Sequence, residues 1–421
     1  MCRKNRHPSS ELFLVTIGCS HGFARLNFGV PAGTTGLEVP YVLYCIPDRA
    51  TDAKLNFTQF AAKYGRKVEE HYVLTEDGHI LTLFHIEPSG KERNIARSLP
   101  VLLMHGIVDS SINFIIRGNA SLGITLANEG YDVWAGNTRG TVYGRRHVHL
   151  DADIDKAYWN FSLHENGLYD VAPQVDYVLK STGHQKINVV AYSQGNAEIF
   201  VLCSIKPEYN DKINVLIALS PIAFLHNLDE LPKALVQSSG LINELLISLE
   251  IEEVISDVFR QLSQIVCSQE LPWTYELCTS LIGTLCGEDN EEIEEGFLRV
   301  VYGHLPQPTS RKSLLHISQI SLRRKFAQYD YGTKGNMEMY NRTQPPDYDL
   351  SKVTTKVALF SGLNDKLSTL KDVAKLKRRL PNVVEARIIE RSKWNHLDFV
   401  WAKDAPKYLH PYVLQILRRY S

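Results

Sequence analysis

Three residues far apart in the chain are of the types that make a weak nucleophile attack an acyl carbon: Ser193, Asp365 and His396. A serine hydroxyl needs a base to take its proton, and an imidazole base needs a carboxylate to hold its tautomer and stabilise its charged form. Each of the three stands where a folded chain can present it. Ser193 lies in Ile187-Asn188-Val189-Val190-Ala191-Tyr192-Ser193-Gln194-Gly195-Asn196, where a run rich in β-branched residues meets a serine, a glycine and then a segment of helical character. Strand, sharp turn and helix with a hydroxyl at the turn make a nucleophile elbow, whose strained backbone lifts the oxygen clear of the sheet. The usual first glycine of that turn is Ala191 here, one methyl group more where strand and helix approach closely. Asp365 follows the apolar run Val357-Ala358-Leu359-Phe360, and His396 follows Val384-Glu385-Ala386-Arg387-Ile388-Ile389. Loops past the carboxyl ends of strands are where open α/β sheets bind ligands.

Acyl transfer also needs two donors for the oxygen that becomes negative, one from the residue after the serine and one from the loop behind an early strand. Gln194 is the first, and His105-Gly106-Ile107, which ends the apolar run 100–104, offers the Ile107 N–H as the second. The elements that must hold these groups show in the periodicity. Residues 68–74 and 79–86 alternate and are joined through Asp77-Gly78, which predicts a hairpin. Residues 100–104, 131–135, 187–190, 214–219 and 356–360 are short apolar runs suited to strands buried on both faces of a parallel sheet. Helices are expected between them at 121–128 and 170–182, and a last one at 406–419. This alternation predicts a mostly parallel, doubly wound sheet, and the order serine, acid, histidine is the one α/β-hydrolases use.

Residues 232–330 break the pattern, because strand signals stop and apolar residues such as Leu241, Leu245, Leu249, Val258 and Phe259 fall at helical spacing. The expected organisation is a leader or N-terminal extension over 1–52, the place for any signal segment, and an α/β core over 53–221. A helical cap or lid is expected over 222–345, with the second part of the core over 346–421. The acidic run 288–295 reads as a solvated helix face or loop.

Composition excludes several classes. A net charge of -1 leaves no electrostatic footprint for nucleic acid, and no apolar run approaches the ~20 residues of a transmembrane helix. No P-loop, H-E-x-x-H or strand-borne G-x-G-x-x-G motif occurs, so neither a cofactor nor a metal is expected. Arg3, Lys4, Arg6 and His7 ahead of the short apolar run 12–17 have the order of a secretory signal, with a buried strand as the other reading. The N-x-S/T sites at Asn56, Asn119, Asn160 and Asn341 lean the same way. So do Cys267, Cys278 and Cys286, whose clustering fits one local disulfide plus a free thiol.

In order along residues 53 to 415, the chain resembles the animal acid lipase family, which includes the gastric and lysosomal acid lipases. The likeness is carried by Leu55-Asn56-Phe57-Thr58, Val68-Glu69-Glu70-His71, the loop 105–111 and Tyr131-Asp132-Val133-Trp134. It continues through Ser193-Gln194-Gly195, Ala218-Leu219-Ser220-Pro221, residues 326–332, Asn364-Asp365 and Asn395-His396-Leu397-Asp398-Phe399. The resemblance implies an α/β-hydrolase core with a helical cap that contains a movable lid. It implies hydrolysis of neutral lipid esters, triacylglycerols or sterol esters, often at acid pH and without a cofactor. The cap would meet the lipid–water interface, in a secreted or lysosomal protein. It further implies Ser193 as nucleophile, Asp365 as orienting acid, His396 as base, and Ile107 and Gln194 as the oxyanion hole. The family's cap disulfide falls on Cys267 and Cys278, with Cys286 free. Its Gly-His before the serine is Ala191-Tyr192 here, and neither residue is expected to donate to the triad. A non-catalytic lipid-binding or storage protein and a short-chain esterase are the other readings of this scaffold.

Overall fold

The computed structural model describes residues 49–89, 98–267, 272–294 and 296–420. The basic stretch and apolar run expected of a signal segment, with Cys2, Cys19 and Cys45, lie outside them. The strands that build the sheet are β1 (Val68–Leu74), β2 (His79–Ile86), β3 (Val101–Met104), β4 (Val133–Ala135), β5 (Ile187–Tyr192), β6 (Ile213–Leu219), β7 (Lys356–Ser361) and β8 (Val383–Ile388). Their order across the sheet is β1-β2-β4-β3-β5-β6-β7-β8. β1 and β2 form the expected hairpin, with Val68 opposite Ile86 and Leu74 opposite Ile80. β2 also pairs antiparallel with β4, and every later pair on this path is parallel.

Helices cover both faces, which is why β5 and β6 are buried along their whole length. The two-residue period of the strands divides the core into two layers. Val190, Ile217 and Phe360 face the layer that contains α2 (Leu122–Asn128) and α12 (His410–Tyr420). Val189, Leu216 and Leu359 face the layer of α3 (Ala172–Thr182) and α4 (Gln194–Ile205). The N-terminal α1 (Phe57–Lys63) is capped by Asn56 and docks Phe57 and Phe60 into the first of these layers. α11 (Leu370–Arg379) spans the connection from β7 to β8.

Between β6 and β7 the chain is mainly helical: α5 (Glu230–Ser248), α6 (Asp257–Val266), α7 (Pro272–Cys286), α8 (Phe297–His304), α9 (Arg311–Arg323) and α10 (Gly332–Tyr340). Two details depart from expectation. Glu253–Val254 pairs antiparallel with Thr309–Ser310, a ladder too short to leave a period in the sequence. The acidic run is not simply solvated. Asp289 and Glu292 are buried, and both pair with Arg391, at 3.1 and 3.0 Å. Glu292 also accepts the Asp404 N–H at 3.0 Å, while the exposed Glu291 pairs with Lys393 at 2.7 Å. Charge density alone cannot reveal partners that arrive a hundred residues later.

A buried ion cluster ties the hairpin turn to the layer behind the sheet. Arg139, in the loop after β4, donates to Asp170 at 2.8 Å and to both oxygens of Asp77 at 2.6 and 2.8 Å. Asp170 is fully buried, and also accepts the Arg139 N–H and the Asn166 amide. Arg139→Met removes the counter-ion and leaves that carboxylate uncompensated, so unfolding free energy should fall by about 3–5 kcal/mol. Urea denaturation of the two proteins measures this, and a loss under about 1 kcal/mol would show that Asp170 does not need the guanidinium.

Candidate active site

The elbow forms despite Ala191. Ser193 adopts φ 52° and ψ -120° at the junction of β5 and α4, a region that costs a non-glycine residue about 1–3 kcal/mol. Its N–H reaches Leu219 O at 3.0 Å, and the Asn196 amide holds Ser193 O and Leu219 O at 3.1 and 2.9 Å. A methyl group on Gly195 would lie 2.6 Å from the carbonyl oxygen of His105 and 2.8 Å from that of Met104. Only glycine therefore lets α4 start against the end of β3. Ala191 is fully buried, paired with Met104 of β3 and Ala218 of β6, and belongs to the apolar layer of α3 and α4.

The three predicted residues converge. His396 Nε2 lies 2.9 Å from Ser193 Oγ, and His396 Nδ1 lies 3.1 Å from both oxygens of Asp365. A fourth residue joins them, one to which the sequence alone assigns no role. Ser220 Oγ is 2.5 Å from Asp365 Oδ2 and 2.6 Å from His396 Nδ1. It directly follows β6, the strand between those that lead to Ser193 and Asp365, and a hydroxyl at that carboxyl edge was the available signal. An ionised Asp365 can only accept, so the Ser220 O–H donates to it and the Nδ1–H donates toward Ser220 Oγ and the carboxylate. That leaves the Nε2 lone pair for the Ser193 hydroxyl. All four side chains are buried. Burial pushes the Asp365 carboxyl up, but the His396 imidazole and the hydrogen bonds from His396, Ser220 and the Ser368 N–H outweigh it and hold it below the usual value.

Comparison with known proteins agrees with this geometry. Residues 57–118 match the partial alpha/beta-hydrolase lipase region, and residues 100–243 the alpha/beta hydrolase fold. Over 374 residues the chain is 34% identical to gastric triacylglycerol lipase of Mus musculus, spanning 87% of this chain and 92% of that protein. The chain belongs to the animal acid lipase family. It is 37% identical to Lipase 1 of Drosophila melanogaster, over 87% of this chain and 80% of that one. With lysosomal acid lipase/cholesteryl ester hydrolase of Homo sapiens it shares 31% identity over 92% of this chain and 98% of that one. A soluble variant of monoglyceride lipase from Saccharomyces cerevisiae superposes with TM-score 0.51 at 15% identity, over 84% of this chain and 96% of that one, a likeness of fold alone. The protein is a lipase-like serine hydrolase.

Tyr192 departs from the expectation that it would not donate to the triad. Its hydroxyl donates to the His396 carbonyl at 3.1 Å, and its ring packs 5.3 Å from the imidazole. The His105-Gly106-Ile107 loop is fastened from below. His105 Nε2 accepts the Thr138 N–H at 3.2 Å, so Nδ1 carries the proton toward Gly106 O at 2.8 Å. Burial lowers the His105 pKa to about 4 and keeps the ring neutral. Gln194 opens α4 directly after Ser193, and its side chain donates to Glu198 at 3.0 Å.

Residues 286–288, at the end of α7, run between the loops that carry Asp365 and His396. Cys286 O accepts the His396 N–H at 3.2 Å, Gly287 O the Asn395 amide at 2.9 Å, and Glu288 O the Asn364 amide at 2.9 Å. Gly287 has φ 111°, and a methyl there would lie 2.0 Å from Asn364 O. Cys267 and Cys278 are disulfide-bonded, with Cys286 a free thiol. Asn56, Asn119, Asn160 and Asn341 are all exposed.

Two outcomes follow from this packing. Gly287→Ala must displace both loops, so ester hydrolysis should fall at least about tenfold, a scale set by the hundredfold that a displacement of about 1 Å can cost. Initial rates measure it, and an unchanged rate would show that the segment does not position the loops. The second concerns pH. Burial raises the carboxyls of Asp109 to about 7 and of Glu198 to about 8. It raises Asp398 to about 8 as well, helped by the nearby Asp289 and Glu292 carboxylates. These groups keep protons in the fold that the unfolded chain has lost, so their stabilising effect is full below the unfolded pKa and is lost as pH rises through the folded one. Buried histidines such as His105, whose pKa is lowered, act with the opposite sign up to their unfolded value of about 6.5, so the melting temperature should fall between about pH 6.5 and about pH 8, and Asp398→Asn should flatten that slope.

Proposed function

We propose that the protein hydrolyses carboxylic esters of neutral lipids through an acyl-enzyme. The observation that carries the reading is the 2.9 Å approach of His396 Nε2 to Ser193 Oγ, with Asp365 behind the ring. Ser193 Oγ attacks the ester carbonyl while its proton passes to His396 Nε2, and Asp365 stabilises the imidazolium. The backbone N–H groups of Gln194 and Ile107 receive the developing oxyanion. The proton then leaves with the alcohol, and water repeats the sequence on the acyl-serine to release the fatty acid. Ser220 fits a positioning role, since it meets the ring on the nitrogen that faces the acid rather than on the nitrogen that faces substrate.

The substrate class follows from the relatives and from the surface of the insertion. Two of the relatives are a gastric triacylglycerol lipase and a lysosomal acid lipase/cholesteryl ester hydrolase. On α6, Val258, Phe259, Leu262, Ile265 and Val266 are exposed, and Leu241, Leu245 and Trp273 extend the apolar surface onto α5 and α7. An apolar surface of this kind marks a binding face, here one for a lipid–water interface. No helix among the described residues is long and apolar enough to cross a membrane. Residues 222–345 then serve as cap and lid. The disulfide needs an oxidising compartment, and with four exposed N-x-S/T asparagines it supports N-glycosylation and passage through the secretory pathway to a secreted or lysosomal destination.

Ser193→Ala should lose fluorophosphonate labelling and at least about 10⁴-fold of its turnover of emulsified triacylglycerol. Ser220→Ala should still label, at a reduced rate. The reverse pattern, with label kept in Ser193→Ala and lost in Ser220→Ala, overturns the assignment.

A further inference from the structure

A cluster remote from the triad has the make-up of a metal site. Glu69 and His71 are two apart on β1, so both point to the same face, and His85 on β2 stands directly opposite Glu69. Glu69 Oε2 lies 3.6 Å from His71 Nε2 and 3.6 Å from His85 Nδ1, and the three ligand atoms fall within 4.8 Å of one another. These spacings are too long for hydrogen bonds. They are close to the separation of about 3.4 Å between two ligand atoms bound at about 2.0–2.1 Å to a tetrahedral ion.

The second ring nitrogens decide the orientation. His85 Nε2 is held by Asp132 at 2.6 Å, and Asp132 is itself held by the Trp134 indole N–H at 3.2 Å. His71 Nδ1 is held by the Tyr177 hydroxyl at 3.0 Å. Outer partners of this sort fix the tautomer of a ligating histidine and aim its free nitrogen. Asp132 can only accept when ionised, so His85 carries a proton on Nε2, and Nδ1 is the nitrogen that faces Glu69. His71 Nε2 is shielded from solvent and makes no hydrogen bond. Two imidazole nitrogens and a carboxylate oxygen thus converge on one point. Electrostatically, that point is made for a cation.

We propose that Glu69, His71 and His85 bind a divalent transition-metal ion of the zinc class, with a fourth position open to water beside the half-exposed Glu69. Two histidines and a glutamate are a known zinc donor set. β1 is four strands from β5, about 19 Å at ~4.8 Å per strand, so the ion takes no part in acyl transfer. It clips the edge strand of the sheet to its neighbour and stabilises the fold by binding it.

The test uses the full-length protein stripped with EDTA and titrated with zinc chloride by calorimetry at neutral pH. One equivalent should bind, and affinity should fall at least about tenfold in both Glu69→Gln and His71→Gln, the lower end of what even an outer partner contributes. Asp132→Asn should weaken binding by about 10–100-fold. Cobalt in place of zinc should give the intense visible bands of a four-coordinate nitrogen–oxygen site, so the wild-type spectrum reports even where a variant folds poorly. Absence of zinc binding to the stripped protein overturns the proposal. So do unchanged affinities in both variants, or a cobalt spectrum of six-coordinate or thiolate type.

Discussion

Ser193 is held in a backbone conformation that a serine does not choose, and much of the sheet is arranged to keep it there. The parallel pairing of β5 with β3 and β6 fixes where the strand ends. The Asn196 amide then bonds both Ser193 O and Leu219 O, and Gly195 lets α4 begin against the β3 carbonyls. None of these contacts touches the reacting oxygen, yet each removes a way for the turn to relax. Strain of this size persists only where the surrounding structure over-determines it. The buried strands and the two helical layers provide that surplus.

The electrostatics around the elbow divide between groups held charged and groups held neutral. Asp365 stays ionised because its partners outweigh burial. Asp109, Asp398 and Glu198 lack such partners and keep their protons well past the usual carboxylate range. His105 is kept neutral by burial beneath the loop that carries Ile107. The result is a single ionised acid behind a single basic nitrogen, with little competing charge to misdirect a proton.

Local chemistry was legible in the sequence and distant pairing was not. Ser193, Asp365 and His396 could be read because each follows an apolar run and because serine, acid and base come in a meaningful order. The sheet could be read because buried parallel strands write themselves as short runs of β-branched residues. Ser220 escaped assignment because its role depends on β6 lying between β5 and β7, a fact of topology. Asp289 and Glu292 read as solvated because Arg391 lies far down the chain. Tyr192 read as a bystander because its partner is a carbonyl two hundred residues away. The Glu69 and His71 pair showed no recognisable motif, since its third member is supplied by the register of a hairpin.

Residues 286–288 have a mechanical consequence. The segment is bonded to the loops on both sides, and Gly287 leaves no slack between them. The Cys267–Cys278 bond couples α6 to α7 just upstream. Any swing of the apolar helices therefore moves a braced lever about a fulcrum that is itself part of the catalytic frame. Under the cap-and-lid reading proposed above, the covering would change its angle while the spacing of Asp365, His396 and Ser193 is preserved, which would make access and reactivity separable properties of one chain.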